Sequence, residues 1–138
     1  MTYKYIEHVT MADVAFEATG KTPEEVFKSC AEATFEVMVD LTKIKPDYAV
    51  TFELTNKNLE KLLFEFIEEL IFLKDAESVV FSKFTLNILP GYKLTCTAEG
   101  TEIKKIKETR TDVKAVTFHH FSLKKEQKGW KAIVVLDI

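Results

Sequence analysis

Apolar and polar positions alternate from Ala12 to Ala18, placing Ala12, Val14, Phe16 and Ala18 on one side of a predicted strand that Gly20 closes. Thr22-Pro23-Glu24-Glu25 predicts a helix start, because the Thr22 hydroxyl can accept the Glu25 amide and Pro23 suits the first helical position. The period is then helical to about Val39. Val26, Cys30, Ala33 or Thr34, and Val37 form the stripe, and Phe27, Ala31, Phe35 and Met38 widen it, so heavy burial is expected. Alternation returns over Tyr48 to Thr55. Asn58 can cap a second helix, Leu59 to Lys74, with Leu59, Leu62, Leu63, Phe66, Ile67, Leu70 and Ile71 facing inward. Phe64 and Phe72 lie off that stripe and are expected as flanking core contacts, the alternative being a partner surface. From Ser78 onward the pattern is β: Val79 to Leu89, a turn at Pro90-Gly91, Tyr92 to Glu99, Val113 to Leu123, and Lys131 to Ile138 after a turn at Gly129.

Strands and helices mixed early, with strands clustered late, predict an α+β fold: one mixed sheet with two helices packed on one face, a single domain over 1–138. Composition agrees. With 46% hydrophobic residues, eleven Phe, four Gly and three Pro, 138 residues supply a core without disulfides. Cys30 and Cys96 sit in apolar surroundings and are expected reduced and buried. No signal-peptide pattern and no run of eighteen apolar residues occurs, which predicts a soluble cytoplasmic protein with no membrane partner.

The net charge of −3 argues against a protein that coats phosphate backbones. It is unevenly spread. Residues 1–99 carry ten Lys against seventeen acids, whereas residues 100–138 carry nine Lys or Arg against five acids, making the last third the basic pole. No glycine-rich nucleotide loop, zincin helix, nucleophile elbow or cysteine tetrad occurs.

Three polar features remain. Asp13 is an acid within an apolar strand, and Asp137 lies one residue from the end of another. With the Ile138 carboxylate they make an all-oxygen set suited to calcium, magnesium or manganese, against the plainer readings of an exposed strand acid and a frayed tail. In Asp112 to His120, strand alternation places Asp112, Lys114, Val116, Phe118 and His120 on one face. Lys114 is then either a salt-bridged surface lysine or a cation aimed at an anion or a partner. His119 and His120 would face opposite ways and could share a metal only across a bulge.

Several blocks, taken in order, resemble the archease family: Glu7-His8 with Ala12-Asp13-Val14-Ala15-Phe16, Gly20 to Phe27, Ala33 to Asp40, Asn58 to Leu70, Asp112 to His119, and Val135-Leu136-Asp137-Ile138. The resemblance implies a small α+β protein that is not an enzyme. It would be the protein cofactor of an RtcB-type RNA ligase in tRNA splicing, promoting the ligase's guanylylation and multiple turnover, and meeting RNA only through the ligase. It further implies a divalent cation, calcium or else manganese or magnesium, held by Asp13 and Asp137, and a functional lysine, Lys114, with Asp112 beside it. His8 stands two residues farther from Asp13 than in the family pattern. The alternatives are a metal-dependent hydrolase using the same carboxylates and a chaperone-like binding module.

Overall fold

The computed structural model describes residues 2–6 and 12–138. Seven strands and two helices follow in the order β1 (Thr2–Ile6), β2 (Asp13–Gly20), α1 (Pro23–Glu36), β3 (Tyr48–Thr55), α2 (Leu59–Glu77), β4 (Val79–Leu89), β5 (Lys93–Glu102), β6 (Ala115–Glu126) and β7 (Gly129–Asp137). The α+β class and the two helices are as the periodicity predicts. The single mixed sheet is not. The strands form two sheets, β1-β2-β7-β6 and β3-β5-β4, in which every pair is antiparallel. Tight turns account for much of this: a strand that reverses through two or three residues can only pair antiparallel with its predecessor. β4 and β5 reverse at Gly91 and Tyr92, both at positive φ, and β6 and β7 reverse at Gly129.

The helices touch both sheets rather than lying on one face. α1 packs against β2 and β7 of one sheet and β4 of the other, and α2 against β6, β4 and β3. A helix so placed needs apolar residues around much of its circumference. In α1, Val26, Phe27, Cys30, Ala31, Ala33 and Phe35 are all fully buried. Both helix starts are capped as expected, the Thr22 hydroxyl accepting from Glu25 N–H at 3.2 Å and the Asn58 side chain from Lys61 N–H at 2.9 Å. α1 ends at Glu36, three residues short of the expected Val39, and α2 continues three residues past Lys74 to a left-handed cap at Ser78. Gly100 serves the close approach of β4 to β5, since a Cβ there would collide with the Val80 carbonyl.

β1 is an additional element, paired with β2 from Thr2↔Thr19 to Ile6↔Ala15. It is tied down by Tyr5, whose hydroxyl donates to the Ala33 carbonyl at 2.7 Å while its ring meets Phe16 edge-on. No helix among the described residues is long and apolar enough to cross a membrane.

Cys30 and Cys96 are free thiols with no exposed surface. Burial disfavours the thiolate at both, pushing Cys96 up to about 12 and Cys30 further. Native protein at pH 8 should therefore resist thiol reagents for as long as it stays folded, and both cysteines should label at once in denaturant. Fast labelling of either without denaturant would contradict the packing.

Candidate functional site

The two central strands of the larger sheet bring the two sequence-distant acids together. β2 and β7 run antiparallel in a register that sets Asp13 directly opposite Asp137. The Ile138 N–H donates to the Ala12 carbonyl at 3.0 Å, so the bonds flank the Asp13–Asp137 pair rather than joining it. In such a pair the side chains share a face and the Cα atoms approach to about 4.5 Å, the closest spacing a sheet offers. Asp13 is half-buried, Asp137 is exposed and Ile138 is half-buried.

Two carboxylates facing each other at this spacing repel unless a cation lies between them. They supply only oxygen, as a hard divalent ion requires, and leave most of its six to eight positions to other oxygens. The donor set thus fits an open, two-carboxylate site. Among the described residues no group of three or more His, Cys, Asp or Glu side chains gathers at one point. Glu7 and His8 lie outside the described residues.

Lys114 reaches this strand end through its main chain, its N–H donating to the Asp137 carbonyl at 2.8 Å. Its side chain is exposed and enters no ion pair with the described residues. The alternation expected over Asp112 to His120 does not hold, because β6 begins only at Ala115 and Asp112 to Lys114 form an irregular lead-in. Asp112 turns instead to a residue the sequence pattern did not single out. The ammonium of Lys74, only 1% exposed, donates to Asp112 Oδ1 at 2.6 Å and to the Val113 carbonyl at 2.8 Å, and lies 2.8 Å from Asp75 Oδ1. Lys74 on α2 therefore pins the lead-in, and the lead-in delivers Lys114 to Asp137. Position 74 falls four residues after Leu70 and three after Ile71, so a lysine on the inward stripe was the available signal.

Farther along β6 the pairing with β7 shifts register between Thr117 and Ser122, and His120 adopts a positive φ of 60°. This bulge overturns the expectation that the two histidines point apart: their rings lie 3.9 Å apart, both on exposed residues. Phe118 stacks on Phe64 at 4.2 Å, and Phe121 meets Phe64 edge-on. Phe64 is thus a flanking core contact as expected. Phe72 is not, being 61% exposed.

The sequence and the fold have counterparts among known proteins. Residues 3–138 match the model of the archease protein family (MTH1598/TM1083). The chain is 38% identical to protein archease of Methanosarcina barkeri, over 99% of this chain and 95% of that one. The solution structure of protein 1598 from Methanobacterium thermoautotrophicum superposes with a TM-score of 0.81 at 35% identity, covering 99% and 98% of the two chains. A crystal structure from Thermotoga maritima, of an archease called a possible chaperone, shares the fold with a TM-score of 0.68 at 23% identity, covering 98% and 96%. With its sequence matched nearly from end to end and its two-sheet architecture repeated, the chain belongs to the archease family.

Proposed function

We propose that this protein is a non-catalytic cofactor of an RtcB-type RNA ligase in tRNA splicing, and that the joined end of β2, β7 and the β6 lead-in is the part that enters the ligase. The observation that carries the reading is the Asp13–Asp137 pairing with the Lys114 main chain bonded to Asp137. Strand β2 meets the distant β6–β7 pair there, gathering two acids and an exposed cation at one end of the sheet, which folding alone does not require.

Asp13 and Asp137 hold the cation, with Ile138 beside them, and calcium, manganese or magnesium would suit their oxygens. When bound, the ion neutralises the facing carboxylates and offers a positive centre to phosphate groups. Asp112, anchored by Lys74, keeps the lead-in in place. Lys114 projects from it as a charge on a long stem, suited to a triphosphate or to charge developing as the ligase is guanylylated. The chain supplies position and electrostatics, and the bond-forming step belongs to the ligase.

Turnover by an RtcB-type ligase, measured with and without this protein, tests the reading. Lys114→Ala should melt within about 1 kcal/mol of wild type, since an exposed lysine contributes little to stability. It should nevertheless slow guanylylation at least tenfold, a loss that one lost contact to developing charge supplies. Lys124→Ala on β6 is the control. An unaffected ligase would overturn the proposal, and so would suppression of client aggregation in place of ligase activation.

A further inference from the structure

A cavity of about 670 Å3 opens between residues 40–47, which follow α1, and residues 101–110, the end of β5 and the loop after it. Main-chain bonds fix its walls: Arg110 N–H donates to the Met38 carbonyl at 2.7 Å, and Asp47 N–H to the Gly100 carbonyl at 2.9 Å. Its volume lies within the range of small-molecule sites, and its lining includes apolar surface from the buried Ile44 and the half-buried Ile106.

The charge lining it is out of keeping with the rest of the chain. The protein as a whole carries −3, yet five cations and three acids surround this concavity. Two of the cations are already matched. Lys105 lies 2.8 Å from Asp47 Oδ2, and Arg110 lies 3.5 Å from Glu36 Oε2 and 3.9 Å from Asp40 Oδ2. Lys43, Lys45 and Lys107 enter no ion pair with the described residues, and Glu108 is the one lining acid not engaged by Lys105 or Arg110. Like charges gathered in a concave, partly apolar site raise the local concentration of anions. A polyanion accepted there would hydrogen-bond several ammonium groups at once.

We propose that this cavity binds a small phosphate-bearing ligand of nucleotide size. Lys43, Lys45 and Lys107 would receive the phosphates, and the Ile44–Ile106 surface would lie against whatever flat or apolar group the phosphates carry. The proposal is independent of the Asp13–Asp137 strand end, which belongs to a different set of elements.

Calorimetric titration of the full chain with ATP, tripolyphosphate and adenosine, in chelator to remove any bridging metal, tests it. ATP and tripolyphosphate should both bind, more weakly as salt rises, and adenosine should not. Tighter binding of ATP than of tripolyphosphate would mean that the apolar surface takes the base. Equal affinities would mean that the phosphates alone are recognised. Lys43→Gln with Lys107→Gln should weaken either ligand tenfold or more, at about 1.4 kcal/mol per tenfold, while Lys124→Gln with Lys128→Gln should change nothing. Melting curves check that both variants fold. The proposal is overturned if neither phosphate ligand binds at millimolar concentration, if the control pair loses as much as the cavity pair, or if adenosine or polyglutamate binds as tightly as ATP.

Discussion

Asp75→Ala combined with Asp112→Ala should destabilise the protein by about 3 kcal/mol, which for a domain of this size is a fall of roughly 10 °C in Tm. The reason is the position of Lys74. Its ammonium is almost wholly removed from water and is held by two carboxylates and one carbonyl, at 2.6 to 2.8 Å. Removing both carboxylates leaves a buried cation with one neutral acceptor, and an uncompensated buried charge costs several kcal/mol. Asp112→Ala alone should cost about 1 kcal/mol, because Asp75 and the Val113 carbonyl remain. Lys74→Met is the informative comparison. It keeps the apolar stem and removes the charge; the exposed Asp75 and Asp112 carboxylates turn to water and only the Val113 carbonyl is left buried without its donor, so it should be milder than the double carboxylate variant despite deleting the central residue. A double variant melting within a degree or two of wild type would mean that water compensates Lys74 freely.

That contact also marks a limit of sequence reasoning here. Helix α2 was legible because its apolar residues recur at three and four, and its cap because asparagine precedes the run. Lys74 continues the same stripe, but nothing local says that a lysine's stem will be buried while its head finds Asp112, thirty-eight residues away. The two acids were legible one by one, as charges in apolar strands. Their pairing rests on the adjacency of β2 and β7, a long-range pairing that alternation does not encode. The β6 bulge was missed for a related reason: alternation assumes one residue per step, and the extra residues between Thr117 and Ser122 are visible only when the partner strand is placed. The two-sheet division followed the same pattern, since periodicity identifies strands but not which strands share an edge. β1 escaped notice because it is a five-residue edge strand whose tyrosines alternate with polar residues over too short a run.

Asp137→Asn should have opposite effects on stability depending on whether a divalent cation is present, and Asp13→Asn should lose cation binding with it. In chelator the wild-type carboxylates face each other across a non-hydrogen-bonded pair, an arrangement that costs about 0.2–1 kcal/mol. Asp137→Asn removes one of the two charges while preserving shape, so this variant should melt at or slightly above the wild-type temperature. With calcium at about a hundred times its dissociation constant, the wild type gains about 2.7 kcal/mol through linkage, because the unfolded chain no longer holds the two acids together. Neither variant should share that gain, and calorimetry should show calcium affinity reduced at least tenfold in each. The crossing of the two melting orders separates a cation site from a mere strand-end contact, since loss of a packing contact would lower stability in both conditions. Both variants should also fail to activate the ligase while keeping the wild-type circular dichroism. Equal calcium binding by wild type and both variants would remove the cation from Asp13 and Asp137 altogether.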